Sequence, residues 1–285
     1  TDNFIGLGVN FYFPFVGDGA KPDVFSVDAT EGYQSSASIR IDVPNADDPG
    51  GGFAGASFVV DGPGRNLTEY DALTFWAKAS QAVTIGSIGF EQEFRAAQTD
   101  LKFTTNWTKF IIPIPDPSRL LQVRSVFEFA AGGILPAGAL PGQGQEVGYS
   151  FWIDELKFEK LGTLAQPRPA IMNGQDQVVA SFTGAQLGVT GLTQTFNLAN
   201  GRDETVSATP AYFQFIASND TVATLDNAGN VTVIGDGTVT ITAILNGVEA
   251  AGSLTIESVG DFTAAPTPTR NAADVISVFS DAYPA

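Results

Sequence analysis

The sequence predicts an all-β protein built as two consecutive sandwiches, and three observations predict it. Its 285 residues include 31 glycines and 16 prolines, which punctuate the chain at short intervals. The apolar runs between them are short and rich in Val, Ile, Thr and Phe, residues that suit a pleated, half-buried surface. Several runs alternate apolar with polar residues, the period that puts one face of a strand on a core and the other in water. The length allows a separate core in each of two domains.

Turn-forming clusters divide residues 1–160 into strands at 36–43 (SASIRIDV), 53–60 (FAGASFVV), 71–79 (DALTFWAKA), 83–95, 107–114 (WTKFIIPI), 124–130 and 148–159. "NADDPGGG", "DGPGRN" and "GGILPAGALPGQGQ" read as loops between them. The last is long enough to be functional or mobile. Strands at this spacing predict an antiparallel sandwich of jelly-roll type. "LGTLAQPRPAI" (161–171) reads as a linker that sets the two sandwiches in an elongated arrangement with limited bending, because proline fixes φ and cannot donate to a ladder. A second set of strands runs to about residue 258, and "TAAPTPTRN" (263–271) reads as another stiff, extended linker. The closing "DVISVFSDAYPA" echoes "DVFSVDATEGY" near the start, so it reads as the opening of a further module. The expected domains are therefore 1–161 and 162–262, followed by a linker and truncated module at 263–285.

Composition removes several function classes. There are 31 acidic and 14 basic residues, a formal charge of −17, which disfavours binding to nucleic acid phosphates. Cysteine and histidine are both absent. That excludes thiol nucleophiles, disulfides, Cys/His zinc sites and histidine-based triads. No apolar run approaches the roughly 20 residues that span a bilayer. The chain carries no signal peptide or lipidation cysteine and reads as mature or trimmed.

"GYSFWIDELKFE" (148–159) poses a local problem. Leu156 and Phe158 alternate with Glu155, Lys157 and Glu159. Carried backwards, the same period puts Trp152 and Asp154 on the apolar side. A lone carboxylate there is costly, so Asp154 needs a partner, such as Arg40 or Lys157, or a bulge that turns it out.

In residues 211–257, Ser218, Asn219, Val222, Ala223, Asp226, Gly229, Val231, Thr232, Gly237, Thr238, Ile241, Thr242 and Ala243 follow one recurring order. Over about 165–260 the chain resembles the group 2 bacterial immunoglobulin-like domain, departing at Phe215-Ile216, where that family commonly has Trp. The resemblance implies a spacer or stalk in an exported protein, occasionally an adhesive one. Upstream, "NLTEYDALTFWAKAS", "NWTKFIIPIPDP" and "FWIDELKFE" resemble, in that order, the β-jelly-roll carbohydrate-binding modules of the broad galactose-binding-like group. That resemblance implies that Asp154 joins early-chain oxygens around a structural Ca²⁺. Asp28 and Glu31 of "VDATEGYQS", with carbonyls near Tyr33, are the expected co-ligands of this hard, oxygen-seeking cation.

A sugar-binding surface needs aromatic faces for the apolar side of the rings and directed polar groups for the hydroxyls. In "SIGFEQEFRAA", Phe90 and Phe94 alternate with Glu91, Glu93 and Arg95. With the phenylalanines inward, those charges line an outer sheet face, as Glu128 does between Phe127 and Phe129. The plain alternative for each is a solvated charge. Trp76, on the side of Thr74 and Lys78, is the candidate platform; Trp107 reads as a rim residue and Trp152 as core. Glycoside hydrolysis needs two carboxylates held across a cleft, and no hydrolase signature is present, so no enzyme is expected. Together the resemblances imply a monomeric, non-catalytic binder of extracellular polysaccharide, with a β-glucan such as laminarin as best guess. It would sit on the outer-membrane surface of a Bacteroidetes-type bacterium through a lipidated cysteine upstream. The alternatives are a structural or adhesive surface protein, or the binding arm of a secreted glycanase. Glycan contacts are expected on the first domain alone.

Overall fold

A computed structural model describes residues 9–60, 62–140, 143–261 and 269–275. Strands β1 (Val9–Pro14), β2 (Phe25–Asp28), β3 (Ser38–Val43), β4 (Phe53–Val60) and β5 (Ala72–Ala79) come first. They are followed by β6 (Val83–Phe90), β7 (Ala96–Phe103), β8 (Thr108–Pro113), β9 (Ser125–Gly132) and β10 (Tyr149–Glu159). The first sandwich sets the antiparallel sheet β2-β3-β10-β5-β8 against β1-β4-β9-β6-β7. Alternation carries Phe58, Phe127 and Phe129 inward from one sheet and Phe75 and Phe151 from the other. The rings meet edge-on, with Phe75 at 6.2 Å from Phe127 and Phe129 at 5.8 Å from Phe151, an arrangement that adds to their area burial.

The remaining strands are β11 (Ala165–Ala170), β12 (Asp176–Ser181), β13 (Gln186–Gly188), β14 (Thr193–Asn197), β15 (Asp203–Ala208) and β16 (Phe213–Ala217). Then come β17 (Ala223–Leu225), β18 (Asn230–Val233), β19 (Asp236–Leu245), β20 (Val248–Glu249) and β21 (Ser253–Val259). A second core lies where β12-β21-β19-β16 and β13-β18-β17 bring Val222, Val231, Val239, Ile241, Ala243 and Ile256 together. β12 runs parallel to β21. Of the recurring residues noted in the sequence, Val222, Ala223, Val231, Ile241 and Ala243 are core positions. Asp226 Oδ1 accepts from the N–H groups of Ala228 and Asn230, both at 2.9 Å, closing the β17–β18 turn.

Two expectations change here. Residues 83–95 are not one strand: β6 stops at Phe90, a turn spans 91–95, and β7 returns beside β6. "AQPRPA" is not a free linker either, since β11 pairs with β14 and the hairpin β14–β15 docks on β7 through Ser207↔Ala97 and Ala208↔Ala96. One sheet of eight strands results, ordered β1-β4-β9-β6-β7-β15-β14-β11. Val206 of β15 is fully buried in the first core. The expected boundary at 161/162 therefore does not coincide with a break in strand pairing. Past β21, Ala272–Asp274 forms a short 3-10 turn, and the rest of the echoed tail lies outside the described residues. Among the described residues no helix is long and apolar enough to cross a membrane.

Candidate functional site

The outer face of the eight-stranded sheet carries a groove of about 540 Å³. On β4 the inward residues Ala54, Ala56 and Phe58 alternate with outward Gly55, Ser57 and Val59. A register slip pairs Phe58 with Phe127 but Val59 with Ser125, and this turns Ser125 out beside Val59. The floor is therefore made of small side chains. The Ser57 and Ser125 hydroxyls are buried there with no hydrogen-bond partner among the described residues.

The walls differ in chemistry. On the β1 side stand Phe13, 54 % exposed, and Phe15. The rings of Phe15 and Phe53 lie over Gly55 so closely that an added Cβ would sit 3.0 Å from one and 2.7 Å from the other. On the β6 side stand Glu91, Gln92, Gln122 and Arg124. Glu91 takes a positive φ of 59°, its N–H donates to Ser125 O at 2.6 Å, and its Oε2 accepts from Arg124 N at 3.0 Å. A second hollow of about 510 Å³ lies beyond the same turn, against Glu93, Phe94, Arg119 and Leu121.

Glu128 faces outward opposite Ser57, only 8 % exposed. Arg95 Nε donates to its Oε1, and the same guanidinium reaches Ser87 Oγ at 3.0 Å. Burial raises the Glu128 pKa, Arg95 pulls it back, and Glu91 pushes it up again. Of the expected binding set, Glu91, Glu93, Arg95 and Glu128 thus lie around the groove and its turn.

Trp76 does not. It lies on β5, in the opposite sheet, where Tyr33 stacks on it at 3.7 Å. Lys78 Nζ sits 5.0 Å over the ring of Trp152 and 5.6 Å over that of Trp107, and pairs with Glu31 Oε2 at 2.6 Å. The protein's own groups thus lie against these rings, each of which is half-buried. Trp152, expected in the core, is half-buried on this outer face, with Nε1 donating to Asp28 Oδ2 at 3.0 Å. The cause is a bulge in β10. Pairing slips between Asp154 and Lys157 opposite Trp76 and Thr74, and Glu155 takes φ +51°. The bulge reverses the alternation, so Phe151 and Ile153 point inward before it and Leu156 and Phe158 after it.

Asp154 consequently points out, yet is only 2 % exposed because residues 31–37 fold over it. Its Oδ2 accepts from Tyr33 N at 2.8 Å and Ser35 Oγ at 2.6 Å, and its Oδ1 from Glu155 N at 2.8 Å. Asp28 accepts from Thr30 and Trp152; the Trp152 bond chiefly, with those from Thr30, lowers its pKa to about 2. Calcium takes six to eight oxygens, whereas these carboxylates are ringed by N–H, hydroxyl and ammonium donors. The donor set does not fit calcium. Among the described residues no group of three or more His, Cys, Asp or Glu is placed to hold a metal ion.

Phe13, Gln92, Gln122 and Arg124 were not foreseen as groove residues. Near Phe13, "VNFYFPF" is apolar with no clean alternation to assign its faces; Gln92 shares the parity of Phe90 and Phe94 in the strand expected at 83–95, Arg124 only opens the one expected at 124–130, and Gln122 lies just outside it.

No protein-family model matches the chain, and no curated protein matches it. Among solved structures, it is similar to a family 30 carbohydrate-binding module at 16 % identity, with 53 % of this chain and 82 % of that chain covered and a TM-score of 0.38. The family 30 module of a cellulosomal cellulase of Clostridium thermocellum gives 16 % identity, 49 % and 83 % coverage and a TM-score of 0.35. A beta-1,2-glucanase from Parabacteroides distasonis gives 10 %, 82 % and 34 %, and 0.32. Similarities of this size carry no argument about ligand or chemistry.

Proposed function

We propose that this chain binds an extracellular polysaccharide without cleaving it, in the groove between Phe13 and Glu91. The observation that carries the reading is the groove's composition: an exposed phenyl wall, a facing wall of carboxylate, amide and guanidinium groups, and a floor of small residues with two hydroxyls that have no partner among the described residues. Apolar sugar faces and directed hydroxyls call for that pairing of surfaces. Hydrolysis would need two carboxylates available to the glycosidic bond, but Arg95 holds Glu128 and the Arg124 N–H holds Glu91. The finer reading is a β-glucan such as laminarin, captured at the outer-membrane surface for degradation and uptake by a protein lipidated upstream of this chain. The sequence resemblances of residues 1–160 and 165–260 support it.

Affinity gel electrophoresis against laminarin, other β-glucans and unrelated polysaccharides is the test. The wild-type chain is expected to be retarded by at least one glucan. Phe13→Ala and Gln122→Ala should run freely while melting as the wild type does. Should no polysaccharide retard the wild type, the reading fails.

A further inference from the structure

We infer that the second sandwich completes the groove: Thr209 and Tyr212 are positioning residues that hold the turn carrying its polar wall. The inference rests on reading the groove as the glycan site. The turn 91–95 has a hollow on either side, of about 540 and 510 Å³, with Glu91 lining both. Its start is pinned to the first sandwich by Glu91, in a left-handed conformation that persists only where the surroundings enforce it.

Its far end is held from the second sandwich. Thr209 Oγ1 donates to Glu93 O at 2.6 Å and accepts from Arg95 N at 3.1 Å, while Thr209 N donates to Arg95 O at 3.1 Å. Tyr212 Oη donates to Phe94 O at 2.7 Å, and the two rings meet edge-on at 5.4 Å. Three consecutive residues of the turn are thus bonded to two residues of the other unit. Tyr212 is itself 2 % exposed and packed in the second core, so the clamp is anchored in packed side chains and not in a loop. Arg95, fixed in this way, is the residue that holds Glu128. Geometry set on a braced element is more exact than geometry left to a free loop.

The experiment uses the whole chain. Thr209→Val keeps the shape and removes the hydroxyl, Thr209→Ser restores it, and Tyr212→Phe removes one bond. Ser253→Ala, distant in the second sandwich, is the control. Each variant is titrated with the polysaccharide that retards the wild type, and amide exchange is followed at residues 91–96 and along β4 and β9. Thr209→Val and Tyr212→Phe are expected to bind about tenfold more weakly, with faster exchange confined to the turn, because each leaves a carbonyl or N–H of the turn unpaired. Thr209→Ser and Ser253→Ala should bind as the wild type does. If Thr209→Val does not fold, Tyr212→Phe and Thr209→Ser still decide. Wild-type affinity in Tyr212→Phe despite faster exchange in the turn would overturn the inference and leave the glycan reading standing. A wild type that binds no polysaccharide would instead remove that reading.

Discussion

Tyr33 donates its backbone N–H to Asp154 Oδ2 at 2.8 Å while its ring stacks 3.7 Å from Trp76, the residue paired with Asp154 across the strands. One residue therefore both satisfies a buried carboxylate and covers an indole face. The loop 31–37 is held at both points, which makes it part of the sandwich and not a flap over it.

Asp154→Ala should destabilise the first sandwich by about 2–4 kcal/mol, since the Tyr33 N–H, Ser35 hydroxyl and Glu155 N–H lose their acceptor under cover. Asp154→Asn keeps one acceptor oxygen and should cost less. Urea denaturation of the two variants measures the difference. With this hydrogen-bond set, excess chelator should leave the wild-type melting curve unchanged. A fall would show that a cation bound to the native state shares the carboxylate after all.

Burial pushes the Glu159 pKa up, but bonds from Lys109, Thr74 and Lys157 outweigh it and hold the carboxyl at about 2, below its ordinary 4.5. A lowered folded-state pKa gives stability that is fully present above the unfolded value and lost as pH falls through the folded one. Glu159→Gln should therefore be less stable than wild type at neutral pH, and the gap should close between about pH 4.5 and 2. Urea midpoints at several pH values test this; a gap that persists at about pH 2 would mean the charge is not what stabilises.

Arg95→Ala leaves the Glu128 carboxylate buried without its cation and should cost about 3 kcal/mol at neutral pH. The Glu128 pKa, already raised by burial, rises further without Arg95. The folded variant then binds its proton more tightly than the unfolded chain, so stability returns on acidification. Adding Glu128→Gln to Arg95→Ala should recover much of the loss at neutral pH. If the double variant is no better than the single one, the cost lies in packing instead.

At the β10 bulge, Glu155 occupies a left-handed conformation at φ +51°. Glu155→Gly should be neutral or stabilising by up to about 1 kcal/mol, and Glu155→Val should cost about 1–2 kcal/mol, because a β-branched side chain resists that conformation. Thermal melts of the pair check it. Equal melting temperatures would mean that the bulge stores no strain.

Strands 53–60, 72–79, 108–113 and 149–159 were legible almost to the residue, because alternation and glycine-rich turns are local properties. The 91–95 turn was not: Phe90 and Phe94 keep the parity of one strand across it, and Glu91, with no glycine or proline beside it, itself takes the turning φ. The β10 bulge could be raised as one way to turn Asp154 out, but its position could not be read, and it inverted the face assigned to Trp152 as well. Glu91, Arg95 and Glu128 could be named from their strands. Phe13, Gln122 and Arg124 could not, since a groove between β1 and β6 exists only once the sheet order is known. Trp76 was correctly half-exposed, but the sequence does not say that its sheet faces away from the others.

The merging of the two sheets at β7 and β15 also bears on how copies of this protein meet one another. An open outer strand offers a row of free N–H and C=O groups that can recruit a neighbouring chain. Joined to each other, β7 and β15 each have a partner on both sides, and the ends of the long sheet pass to β1 and β11. β11 carries Pro167 and Pro169, which have no N–H to offer, and Ala251 N already takes the Pro169 carbonyl at 2.9 Å. The proline tract that reads as a tether thus leaves this end of the long sheet with few backbone groups to offer a neighbouring strand.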